Sequence, residues 1–132
     1  MAPAIAPSQQ PRSDAAMKSV VALPRLEALF GTKAHLEYPS IPYKENLVTI
    51  ESELATHRVW LRFMPGCGYA HLRLVGKPFS FVRLDLFDIK HMRIHTEEGR
   101  STLLFKFARG FTSDLTLCVQ NPVTLCWGND GK

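Results

Sequence analysis

The stretch "KHMRIH", residues 90–95, carries two histidines four positions apart, His91 and His95, with Arg93 between them. On a helix the two imidazoles would stack on one face and could chelate a metal. On a strand their α-carbons stand about 13 Å apart, at roughly 3.3 Å per residue. Imidazoles that far apart cannot share a zinc ion bound at about 2.0–2.1 Å. Met92 and Ile94 alternate with His91, Arg93 and His95, and "TEEGR" offers a turn directly afterwards. The spacing therefore predicts a strand and removes the two-histidine chelate.

The other reactive residue types are thinly spread. Cys67 and His71 occur in "CGYAH", and Cys118 and Cys126 lie near the end of the chain, with no C-x-x-C pair anywhere. No metal centre is expected from them. Cys67, flanked by Gly66 and Gly68, would be a nucleophile if a histidine such as His71 lowered its pKa. The favoured reading is a hairpin turn in which both glycines supply unusual dihedrals and the cysteine is incidental. Asp85 and Asp88 lie in "RLDLFDIK", three apart, and point to opposite faces of a strand. The apolar phase slips there between Leu84 and Leu86 and then Phe87 and Ile89, which predicts a bulge. No G-x-S-x-G elbow, Gly-rich phosphate loop or EF-hand pattern occurs, so no catalytic residue and no cofactor is assigned.

One pattern remains. Strand after strand sets a basic residue opposite the apolar positions: Arg58 and Arg62, His71 and Arg73, Arg83, then His91, Arg93 and His95, then Lys106. Trp60 lies between Arg58 and Arg62 on the same expected face. These ten residues are the expected binding set. Arg and Trp are favoured interface anchors, so an acidic protein partner is expected, met through this sheet face or an edge strand. The alternative is single-stranded nucleic acid or another polyanion on the same face, where bases stack and phosphates pair. No RNP-like aromatic motif supports that alternative, and a cysteine-dependent enzyme comes after both. Since a sheet needs a solvated face, the basic residues also have a purely solvating reading. With two histidines in its last row, binding is expected to strengthen as pH falls towards about 6.

The elements that position these side chains are mostly strands. Alternation of period two runs through residues 46–54, 57–64, 69–76, 79–88, 90–96, 101–108 and 113–120, with an eighth short segment at 123–127. Turn signals "MPGCG", "GKP", "EEGR", "ARGFTSD" and "QNP" separate them. Before them, Pro24, Leu26, Leu29 and Phe30, followed by Gly31, predict one short helix near 24–30. Residues 1–16, rich in Pro, Ala, Ser and Gln, read as a flexible tail. The expected fold is thus mostly β: an antiparallel meander of about seven to eight strands forming a small sandwich or barrel, one domain over 17–132.

Composition fits that reading. The chain has 132 residues, 45% apolar and 21% charged, enough to bury a core without disulfides or metal. Its net charge of +4 is uneven. Residues 1–56 hold five basic and six acidic side chains, and residues 57–132 hold eleven and six. A basic second half of this kind suits an acidic partner. No apolar run reaches the roughly 20 residues of a membrane span, and prolines interrupt the start before any signal-like apolar region. Three cysteines without an export signal lead to the expectation of a soluble, cytoplasmic protein with reduced thiols.

Overall fold

The computed structural model describes residues 15–53, 57–76, 80–108, 114–119 and 123–127. The strands are β1 (Ser19–Val20), β2 (His35–Leu36), β3 (Val48–Glu53), β4 (His57–Met64), β5 (Tyr69–Gly76), β6 (Ser80–Leu86), β7 (Ile89–Glu97), β8 (Arg100–Phe107), β9 (Leu115–Cys118) and β10 (Thr124–Trp127). They form two sheets of five. One runs β2-β3-β4-β5-β6 in chain order, each strand antiparallel to the next. The other runs β1-β7-β8-β9-β10, antiparallel except for β1, which lies parallel to β7.

Alternation explains the packing. In β4, Val59, Leu61 and Phe63 are fully buried while Arg58 and Arg62 are exposed. In β7, Met92 enters the core, Ile94 packs half-buried against it, and the intervening basic residues face outward. Ile50, Leu61, Phe63 and Leu72 from one sheet meet Ile89, Met92, Leu103 and Phe105 from the other in a single apolar cluster. Truncating one of these leucines to Ala would destabilise the fold by about 2–5 kcal/mol. The molecule is therefore a sandwich and not a closed barrel.

Helix α1 (Leu23–Phe30) buries Leu26 and Phe30 and begins with Pro24 in its first turn. It ends at Gly31, whose left-handed φ of 73° lets its N–H donate to Glu27 O at 2.8 Å. Two single 3₁₀ turns follow, at Tyr43–Glu45 and Pro65–Cys67. The connection between β2 and β3 is fixed by Asn46, which is buried. Its Oδ1 accepts from the N–H groups of Tyr38 and Leu47, and its Nδ2 donates to the carbonyls of Tyr38 and Ile41.

Several expectations need correction. There are ten strands among the described residues, not about seven to eight. The two additions, β1 and β2, are two residues each and too short to show a period. The segment expected at 79–88 ends at Leu86, and residue 79 lies outside the described residues. The phase slip is not a bulge within one strand. It is the crossing from one sheet to the other, made at Phe87 and Asp88, with Asp88 at a left-handed φ of 61°. The bulge itself falls one step later, between Ile89 and His91. In the β4–β5 turn only Gly68 is left-handed, at φ 63°, and Gly66 is not. A β-carbon on Gly68 would meet Ala15 O at 2.5 Å and Ile89 O at 2.8 Å, so no larger residue fits. Most of the tail expected over 1–16 and both ends of the strand expected at 113–120 lie outside the described residues. Among the described residues no helix is long and apolar enough to cross a membrane.

Candidate functional site

The two-sheet division separates the ten basic and aromatic candidates. Arg58, Trp60, Arg62, His71, Arg73 and Arg83 stand on the outer face of β3–β6. His91, Arg93, His95 and Lys106 stand on the outer face of the other sheet. The sandwich core lies between the two groups, so they do not form one surface.

On the β3–β6 face the register sets Glu51, Trp60, Arg73 and Arg83 in one row across four strands. The next row is Thr49, Arg62, His71 and Asp85. Trp60 sits at the centre, half-buried. The guanidinium carbon of Arg73 lies 4.5 Å from its ring centroid and that of Arg62 5.1 Å away. Contacts of this type contribute about 0.5–1 kcal/mol each at exposed sites. The His71 ring meets Trp60 edge-on at 5.6 Å.

A hydrogen-bonded chain fixes Arg73. A guanidinium can only donate, so Arg73 Nε–H donates to His71 Nε2 at 3.1 Å. His71 Nδ1–H then donates to Asp85 Oδ1 at 2.6 Å, and the Tyr69 hydroxyl donates to the same oxygen at 2.9 Å. The bonds from His71 and Tyr69 hold the Asp85 carboxyl below its usual range. Both His71 nitrogens are thus engaged, which leaves neither to activate the Cys67 thiol.

The arginines on this face differ in their partners. Arg58 is held by Glu51 at 3.1 Å and Glu53 at 2.8 Å. Arg62 donates to Thr49 Oγ1 at 3.3 Å, and Arg83 lies over the Phe81 ring at 5.5 Å. Among the described residues no carboxylate forms an ion pair with Arg62, Arg73 or Arg83. Beside them is a depression of about 290 Å³ lined by Glu51, Arg58, Trp60, Arg73, Val75 and Phe81. Val75 is 42% exposed and Phe81 54% exposed, so apolar surface is open there. Phe81, Tyr69 and Phe87 were missed as members of the face. The signal for Phe81 was present in the sequence, since it precedes Arg83 by two in an alternating strand.

The opposite face is more fully self-paired. Lys106 Nζ lies 2.9 Å from Asp114 Oδ2, and His95 Nε2 lies 3.3 Å from Glu97 Oε1. Arg93 donates to Ser19 Oγ at 3.3 Å and to His91 Nδ1 at 3.2 Å. The Ser19 hydroxyl also reaches His91 Nδ1, at 2.8 Å. Partial burial, with Arg93, Lys18, Lys106 and Lys90 nearby, pushes the His91 pKa down. His91 is thus held neutral to lower pH than an ordinary histidine.

The thiols are separate from both faces' charge networks except at Cys118, which is buried and accepts from Arg100 Nη2 at 3.1 Å. Cys67 and Cys126 are exposed, and no disulfide joins the three. A larger cleft, about 800 Å³, lies at the β4–β5 turn and is lined by Met17, Lys18, Ile41, Lys44, Met64 and Cys67 among others. Among the described residues no three His, Cys, Asp or Glu side chains converge as a metal site would require. The chain matches no family model, no curated protein and no solved structure.

Proposed function

We propose that this protein is a non-catalytic binding module whose β3–β6 face takes an acidic protein segment, with an apolar side chain of that segment seated beside Trp60. The observation that carries this reading is the set of three arginines, Arg62, Arg73 and Arg83, none of which forms an ion pair with a carboxylate among the described residues. Of these, Arg73 lines a depression whose walls also include Trp60, Val75 and Phe81 together with the ion-paired Glu51 and Arg58. Carboxylates of a partner would supply the missing counter-charges, and the depression would supply the apolar anchor that most interfaces need. Nucleic acid is the weaker fit. A base could stack on Trp60 only by displacing the guanidinium groups already over the ring. The exposed thiols of Cys67 and Cys126 suit a reducing, cytoplasmic setting.

The test uses two labelled probes, a peptide alternating Glu with Leu and Phe, and single-stranded oligo-dT. The peptide is expected to bind. Arg62→Glu combined with Arg73→Glu is expected to abolish that binding in a chain that still folds by circular dichroism, and Arg93→Glu combined with Lys106→Glu to leave it intact. Oligo-dT binding that is tighter and collapses with salt would transfer the face to nucleic acid. Failure of both probes, or equal losses from the two double variants, would sink the reading.

A further inference from the structure

Strand β6 is a sheet edge of an unusual kind for a monomer. It is seven residues long and pairs only with β5 among the described residues. The last strands at the other edges are short: β1 and β2 have two residues each and β10 has four, and β1 and β2 leave Arg93–Glu97 of β7 and Ile50–Glu53 of β3 without a second neighbour among the described residues. Long open edges are templates for pairing, and proteins ordinarily blunt them with lysine, proline or bulges. β6, "SFVRLDL", contains no lysine and no proline, and its pairing with β5 runs without a register shift.

Its sequence is also self-complementary. Arg83 and Asp85 flank Leu84 on either side, and Phe81 and Phe87 flank it three residues away on either side. Phe81, Arg83 and Asp85 project from the outer face by alternation, and Phe87, just past the strand end, packs against Tyr69, whose hydroxyl donates to Asp85. The two phenylalanines are the most exposed large apolar residues beside the sheet, at 54% and 63%. Asp85 accepts both its internal bonds on Oδ1, so neither uses Oδ2. Arg83 sits directly opposite Arg73 across the β5–β6 ladder, a like-charge pair that a further carboxylate would relieve.

We infer that β6 pairs antiparallel with β6 of a second copy of this chain, with the two-fold axis at Leu84. In that register Arg83 faces the second copy's Asp85, Phe81 faces its Phe87, and Val82 faces its Leu86. Leu84 and Val82, half-buried at the open edge, gain cover on the core side. The result is a continuous ten-stranded sheet, with both copies of Trp60 on one side of it. The interface is isologous, as closed dimers require. It does not rest on the acidic-partner reading, and each can fail without the other.

Sedimentation velocity of the full chain over a concentration series into the high micromolar range tests it, with circular dichroism to confirm folding. A monomer–dimer equilibrium is expected. Arg83→Asp sets Asp against Asp, and Asp85→Arg sets Arg against Arg, so each alone is expected to weaken the dimer by about tenfold or more. Mixing the two variants restores both opposite-charge pairs and is expected to recover dimer at the wild-type level. A monomeric wild type, an Arg83→Asp variant that dimerises normally, or a mixture that stays monomeric would overturn the proposal. Should Asp85→Arg lose its fold along with its bonds to His71 and Tyr69, Arg83→Asp decides alone: monomer supports the pairing and dimer refutes it.

Discussion

On the outer face of β3–β6, Arg62 and Arg73 lie over the Trp60 indole, Arg83 lies over the Phe81 ring, and none of the three meets a carboxylate at ion-pair distance among the described residues. On the outer face of β7–β10, Lys106 has Asp114, His95 has Glu97, and Arg93 is tied to Ser19 and His91. Both faces are solvated, and both are basic in composition. The difference lies in what the cations already touch. A surface ion pair contributes only about 0–1 kcal/mol to folding, but it neutralises the charge a partner would seek. The face that leaves its arginines over aromatic rings keeps their charge on offer and adds apolar area beside it. Composition alone therefore does not mark a binding face. The partner list of each charge does.

The sharpest way to break this comparison is to remove the indole. Trp60→Ala takes away the surface under Arg62 and Arg73 and one wall of the depression beside it. Binding of the Glu-rich peptide is expected to weaken by about 30-fold or more, the scale of a hot-spot residue. Leu104→Ala is the matched control, because Leu104 is a half-buried apolar residue on the opposite outer face. It is expected to change binding by less than about twofold. Fluorescence anisotropy titrations of both variants against the wild type measure the ratio. Equal losses would mean that the two faces are not different in kind.

A smaller effect is expected from the residue that positions Arg73. His71→Val removes the acceptor of Arg73 Nε–H and one of the two donors to Asp85. Peptide binding is expected to fall by about three- to tenfold, consistent with losing one hydrogen bond to a charged group. His71→Gln can still accept from Arg73 and is expected to recover part of that loss. If Val and Gln behave alike, His71 acts only by filling space beside Trp60.

Much of the fold could be read from alternation, because a buried residue every second position is a direct imprint of a half-buried strand. Leu103, Phe105, Leu115 and Leu117 show this plainly, and each is fully buried. The helix was legible from Pro24 and Gly31. The strands β1 and β2 were not, since two residues cannot display a period. The larger gap concerned the site. Alternation says whether a side chain points in or out, but not to which sheet its strand belongs. His91 and Arg73 look alike in the sequence, and the turn at Phe87 and Asp88 sends them to opposite sides of the molecule. The slip from Leu86 to Ile89 was the available signal, and it marked the change of sheet.

The mildest contrast between the faces is in their response to acid, which has the same sign on both but falls in different pH windows. His91 has its pKa pushed down by partial burial and by Arg93, Lys18, Lys106 and Lys90. The unfolded chain therefore binds the proton more readily, so stability falls as pH drops below the ordinary histidine value of about 6.5 and levels off below the folded value. Asp85 has its pKa pushed down by the bonds from His71 and Tyr69. Its contribution is present above the ordinary carboxylate value of about 3.9 and is lost as pH falls through the lower folded value. Denaturant midpoints followed from pH 8 to pH 2 should show two separate declines. His91→Gln is expected to flatten the upper one and Asp85→Asn the lower one. Because His91 lies on the face away from Trp60, His91→Gln should leave peptide binding between pH 6 and pH 8 unchanged. A binding profile that shifted with that substitution would join the two faces into one functional surface and undo the distinction between them.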